Sequence, residues 1–201
     1  MKKYTFALLL TALVGFFFSA QLLAGSISGE VNAPKRVKKM IVYLSRETLA
    51  KEQQPVQTHV VSQKDTHFSP ALWVISVGDS IEWANDETKE IDHNIFSLSS
   101  LKRFDLGLGE KGSKLSQSFN KSGILNYYCS VHKEMEGKLV ILPSRHYQLL
   151  EKSADFKIDN LPEGEWTLNV LVFHRRYKVK PLKLIIGKEP IQGINLEVIK
   201  R

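Results

Sequence analysis

The sequence predicts an all-β protein, and two observations carry that expectation. Beyond residue 24 the 201-residue chain lacks sustained helical periodicity and is rich in short β-branched and aromatic runs punctuated by Gly, Pro, Asn and Asp. In its last third, Leu161-Pro-Glu-Gly164 separates two alternating stretches, which reads as strand, tight turn, strand.

Taken in order, residues 1–24 differ from all that follows. Lys2 and Lys3 precede an apolar run over residues 6–18, and the segment closes on Leu23-Ala24-Gly25. This is the layout of a secretory signal peptide cut after Ala24. An uncleaved anchor is the alternative, since residues 6–23 approach the roughly 20 apolar residues of a membrane helix. On either reading the body of the protein is expected outside the cytoplasm, in the periplasm. Membrane contact is expected only through an uncleaved N-terminal segment.

Strands are expected at residues 26–31 and 40–44, then at 72–77, 80–83, 117–119, 124–129 and 138–142. The last third adds 155–158, 165–173, 182–186 and 194–198. Only residues 47–54 and 145–154 read as helical or irregular. Pro55 and Pro143 punctuate the chain and divide it into residues 25–55, a central unit at 56–143, and residues 144–201.

Losing Lys2 and Lys3 lowers the formal net charge from +7 to +5. Basic residues gather at 34–39 and around Arg175, Arg176, Lys178, Lys180 and Lys183. No aromatic residues interleave with them as single-stranded nucleic-acid binding requires, so no nucleic-acid partner is expected. They read as charged strand edges that discourage edge-to-edge pairing; a docking face for an acidic partner or an anionic membrane is the alternative.

The chemistry concentrates in the central unit. Cys129 is the single cysteine, so it forms no internal disulfide, and in an exported chain such a thiol is linking, buried, reactive or ligating. Its neighbours favour ligation: Tyr127-Tyr-Cys-Ser-Val-His-Lys-Glu-Met-Glu-Gly-Lys138 sets Cys129, His132 and Met135 at steps of three where one strand ends and another begins. Upstream, His93 in Ile91-Asp-His-Asn-Ile-Phe-Ser97 offers a second nitrogen, delivered by a loop expected on the opposite side of a sandwich. Two imidazoles, a thiolate and a weak thioether form the ligand set of an electron-transfer copper site. Zinc is the lesser alternative, because two His and one Cys also suit a tetrahedral site with water. A binuclear copper centre would need a second cysteine.

His59, His67, His146 and His174 are scattered singly and read as surface or hydrogen-bonded histidines. Asp86, Glu87, Glu90 and Asp92 read as a solvated charge run. No Ser-His-Asp set, glycine-rich phosphate loop or paired-carboxylate site stands out, so an enzyme is not expected.

The segment Cys129-Ser-Val-His132-Lys-Glu-Met135-Glu-Gly-Lys138, preceded by His93-Asn94, resembles the type 1 copper signature of small cupredoxins. Its loop has the short spacing of the amicyanin group rather than the longer one of plastocyanins. Together with Phe68-Ser-Pro70, Val77-Gly78, Asn85, Phe104-Asp-Leu-Gly-Leu108 and Gly123, it also resembles periplasmic plastocyanin-like proteins of the methylamine-utilisation type. The resemblance implies a Greek-key cupredoxin β-sandwich over residues 56–143. It also implies one copper held by His93, Cys129 and His132 in the equatorial plane and Met135 axially, with Asn94 bracing the cysteine loop.

The hairpin Phe156-Lys-Ile-Asp-Asn-Leu-Pro-Glu-Gly-Glu-Trp-Thr-Leu-Asn-Val170 resembles those of carboxypeptidase-regulatory-like or transthyretin-like sandwiches. Ile27-Ser-Gly-Glu-Val31 and Met40-Ile-Val-Tyr-Leu44 resemble the opening strands of the same module. A second small β-sandwich, formed from both ends of the chain, is therefore expected around the first.

The function these readings favour is a monomeric one-electron carrier working between protein redox partners. The alternatives are a copper-delivery protein and a structural or sensory module stiffened by copper. A chain with three methionines, one of them the initiator, is poorly suited to storage.

Overall fold

The computed structural model describes residues 25–47 and 55–201. The expected signal peptide, and residues 48–54 of the expected helical stretch, lie outside the described residues. Among those described, no helix is long and apolar enough to cross a membrane. The chain is all-β, as its composition of short branched runs predicts.

Two strands open it, β1 (Gly25–Asn32) and β2 (Lys39–Ser45). The middle carries β3 (Thr58–Lys64), β4 (His67–Ser69), β5 (Leu72–Ser76), β6 (Ser80–Asn85), β7 (His93–Ser97), β8 (Phe104–Gly109), β9 (Lys114–Ser118), β10 (Gly123–Tyr128) and β11 (Glu136–Leu142). The last third adds β12 (Tyr147–Glu151), β13 (Ala154–Leu161), β14 (Gly164–Val172), β15 (Tyr177–Lys178), β16 (Leu182–Ile186), β17 (Ile191–Glu197) and β18 (Ile199–Lys200).

The middle strands form two sheets, ordered β5-β11-β10-β7-β8 and β4-β3-β6-β9. Their facing side chains make one core around Trp83, Tyr127, Phe119, Ile95 and Leu139. The two ends of the chain form the other pair, β13-β1-β17 and β12-β2-β14-β16, enclosing a separate core that includes Ile27, Met40, Leu44, Phe156 and Trp166. We call these the inner and outer sandwiches.

A third cluster joins them. Side chains alternate along a strand, so Met40, Val42 and Leu44 of β2 enter the outer core while Ile41 meets Val74, Val140 and Leu142 of the inner sandwich. In β11 the same alternation sends Leu139 and Ile141 inward and Val140 and Leu142 to the joint. Strands buried on both faces read as continuous apolar runs, which is why these two were the most conspicuous in the sequence.

The chain returns to the outer sandwich over Pro143 to His146, beside a buried carboxylate. Asp79, fully buried, accepts the N–H groups of Ser76 (3.0 Å) and Gln57 (2.9 Å) and faces His59 Nε2 (3.1 Å) and the Arg145 guanidinium (3.1 Å to Oδ2). Arg145 also donates to the Pro55 carbonyl, and Ser144 Oγ donates to Leu44 O (2.5 Å). Burial alone would raise the Asp79 carboxyl, but Arg145, the two amides and His59 together hold it below its ordinary value.

Residues 145–154, expected to be helical or irregular, contain β12, which pairs antiparallel with β2 from Tyr147↔Tyr43 to Glu151↔Lys39. Sheet pairing overrides a weak local preference here. It is reinforced by the Tyr147 hydroxyl, which donates to Val74 O across the joint (3.1 Å).

Candidate metal centre

Cys129 follows the last residue of β10, and Glu136 begins β11, which pairs with β10 along its length. The intervening loop is closed by its own backbone: the Cys129 amide donates to Met135 O (3.2 Å) and the Met135 amide to His132 O (3.1 Å). Three-residue spacing in so short a loop therefore turns Cys129, His132 and Met135 toward one end of the sheet. Cys129 and Met135 are both buried in the inner core, whereas His132 is partly exposed.

His93 is the first residue of β7, next to β10 in the same sheet, with Phe96 opposite Tyr128. It thus arrives from the neighbouring strand, not from a loop on the opposite side of the sandwich. Its ring is fully buried. His93 Nδ1 lies 3.8 Å from Cys129 Sγ and 3.3 Å from His132 Nδ1. One donor atom from each of His93, Cys129 and His132 lies within 4.8 Å of the others.

The two separations measured from His93 Nδ1 match those of donors sharing a single ion. Ligand nitrogens about 2.0 Å and a sulfur about 2.3 Å from one centre stand roughly 3.3–3.6 Å (N to N) and 3.6–3.8 Å (N to S) apart at angles between tetrahedral and trigonal. The donor chemistry agrees, because two imidazoles and a thiol are borderline to soft ligands.

Two surrounding residues fix this geometry. Asn94 Oδ1 accepts the Ser130 amide (2.8 Å), while its Nδ2 donates to Asp105 Oδ1 (2.8 Å), clamping the cysteine loop to β7. On the other side of His93, Nε2 meets Glu87 Oε1 at 3.0 Å, both groups being buried. Burial favours a protonated Glu87, but the His93 hydrogen bond and the Thr66 and Asp65 amides outweigh it and hold the carboxyl below its usual value. Asp65 and Thr66, at φ 51° and 58°, form the tight turn between β3 and β4. A carboxylate accepting from Nε2–H leaves the Nδ1 lone pair free to face the thiol.

Glu87 corrects the reading of residues 86–92 as a solvated run. Asp86, Glu90 and Asp92 are exposed, but Glu87 is buried. No charge pattern separates it from its neighbours; a carboxylate six residues before a candidate ligand histidine was the available signal.

Gly137 is a second residue that local reasoning overlooked. A Cβ there would stand 2.1 Å from Cζ of Tyr127, whose ring lies flat against β11 where the strand leaves the metal loop. The remaining histidines stay apart from the cluster: His59 binds Asp79, His67 Nδ1 meets Asp65 O, His146 packs on Trp166 and His174 on Tyr177.

Two stacked sheets with a His-Cys-His cluster at one end define a cupredoxin-like β-sandwich. Amicyanin from Paracoccus versutus is 27% identical over 105 residues, 50% of this chain and 77% of that protein. Similar solved structures include a copper(I) form of an amicyanin variant, 21% identical over 42% of this chain and 81% of that one, with a TM-score of 0.39. A purple cupredoxin from Nitrosopumilus maritimus is 23% identical over 41% of this chain and 97% of its own, with a TM-score of 0.37. No family model matches the sequence.

Proposed function

We propose that His93, Cys129 and His132, with Met135 as the fourth and weakest ligand, hold one copper ion. On this reading the protein is a periplasmic one-electron carrier between protein partners, and not an enzyme. The observation that carries it is the convergence of two imidazole Nδ1 atoms and one thiol within 4.8 Å of one another, with His93 Nδ1 3.3 Å and 3.8 Å from the other two. Copper bound there supplies a one-electron couple.

The chain's own residues do the rest. Glu87 fixes the His93 tautomer, and Asn94 with the loop's backbone bonds holds Cys129 and His132 in place. Ile95, Met135 and the aromatic core keep water from the thiol side. His132 presents an edge to solvent beside the exposed apolar Val131, and Leu108, opposite Asn94 in register, is also exposed. A small apolar rim of this kind suits the brief encounters of redox partners. We further propose residues 56–143 as the copper-binding domain, with residues 25–55 and 144–201 forming one carboxypeptidase-regulatory-like companion.

The test is to add Cu(II) to the purified, reduced protein and record visible and paramagnetic-resonance spectra. A thiolate-to-copper charge-transfer band that disappears in Cys129→Ser is expected. A folded protein showing no such band, or one in which Cys129→Ser retains it, overturns the assignment. A site that takes zinc in preference stays colourless.

A further inference from the structure

We propose that the outer sandwich carries a binding pocket for a small, multiply charged oxyanion of the phosphate type, separate from the metal centre. Arg36, His174, Arg175, Arg176, Tyr177 and Lys200 line a cavity of about 480 Å³, within the range of small-ligand sites. The lining comes from three distant stretches of chain: the β1–β2 turn, the β14–β15 turn and β18. The two basic clusters that the sequence keeps about 140 residues apart thus meet here.

Two features distinguish the pocket from a merely solvated edge. First, its walls are built. His174 Nδ1 accepts the Arg176 amide (3.3 Å) and its ring packs on Tyr177 (4.8 Å between centroids). The chain terminus is stitched to the same turn, the Arg201 amide donating to Arg176 O (3.0 Å) and its Nε to Tyr177 O (3.2 Å). Second, its charge is uncompensated. Among the described residues, Arg36, Arg175, Arg176 and Lys200 form no ion pair, although the chain has 21 acidic residues. The four cations, all exposed at the mouth of one cavity, repel each other until an anion enters, and guanidinium forks match phosphate oxygens in pairs.

Concavity favours a compact anion over the flat acidic face of a protein. The source of the phosphate group is argued by position. Gly25 pairs with Leu161, while β1 runs about 3.3 Å per residue toward Arg36. The pocket therefore lies at the far end of β1 from the point where the preceding chain enters, which favours a soluble ligand over a lipid headgroup on a membrane reached through the N-terminus.

Isothermal titration of the full chain with inorganic pyrophosphate at low salt tests this. Saturable one-to-one binding is expected, unchanged in Cys129→Ser, and weakened about tenfold or more in the double variant Arg175→Gln/Arg176→Gln and in Arg36→Gln. Thermal melting of each variant checks that the fold persists. Anionic phosphatidylglycerol vesicles are expected to bind no more tightly than pyrophosphate; vesicle binding that pyrophosphate displaces would keep the phosphate chemistry and assign it to lipid. Absence of saturation by pyrophosphate, indifference to both sets of substitutions, or tighter binding to a polyaspartate peptide would overturn the proposal.

Discussion

In the outer sandwich the interior is hydrocarbon with Trp166 at its centre, and that indole satisfies its N–H on Pro162 O at 2.9 Å. The inner sandwich is built differently. Among the described residues, every buried polar side chain except Ser144 falls within residues 63–97, Asp79, Glu87, His93 and Asn94 among them. Trp83 and Tyr127 are buried there edge to face, 5.3 Å between ring centroids. Buried polar groups weaken a core unless they are matched, and they collect where a site must be held rigid. Buried polar groups thus mark the inner sandwich, and an apolar core the outer one.

The contrast is broken most forcefully at the outer core. Trp166→Ala should cost about 3–5 kcal/mol, read as a lower denaturation midpoint, because a fully buried aromatic leaves a cavity. While the protein stays folded, its metal spectrum should not change. A shifted spectrum would show that the two interiors are coupled across Ile41, Val74 and Val140.

Asp79→Ala should cost about 3 kcal/mol by leaving Arg145 without its buried partner. Asp79 also sharpens the comparison through pH. Its carboxyl is held below its ordinary value when folded, so its stabilising contribution is complete above the unfolded pKa, about 3.9, and is lost as pH falls from there through the folded value. Thermal melts should fall away below about pH 4, and less steeply in Asp79→Asn.

Glu87→Gln should lower metal affinity by about 10–100-fold with little effect on melting of the metal-free protein, since it alters the partner of His93 Nε2 and not a large packed surface. A competition titration with a chelator measures it. The smallest effect is expected from Asn94→Ala, about 1–2 kcal/mol, together with a shifted metal spectrum as the Ser130 amide loses its acceptor.

The fold class and the gathering of Cys129, His132 and Met135 in one loop were legible in the sequence, but unevenly. β2 and β11 were readable as continuous apolar runs and β14 by its alternation through Trp166, Leu168 and Val170. By contrast β3, Thr-His-Val-Val-Ser-Gln-Lys, turns polar His59 and Gln63 inward beside Val61 and leaves Val60 exposed, β9, Lys-Leu-Ser-Gln-Ser, is polar on its outer face, and both pair with β6 between them. β7 was concealed for another reason. Its buried side chains include His93, Asn94 and Ser97, residues that hydropathy reads as surface.

What the sequence determines by itself is local: alternation along each strand, the turn at Leu161-Pro-Glu-Gly164, and the spacing of Cys129, His132 and Met135 within a single loop. Tertiary structure decides everything that depends on distance through space. It sets His93 on the strand beside Cys129, turns Glu87 from a charge among charges into the buried partner of His93, and gathers Arg36, Arg175, Arg176 and Lys200 around one cavity. The reason is that ligation and ion pairing fall off within a few ångströms, while residues 36 and 176 are distant along the chain and become neighbours only when the sheets of the outer sandwich close.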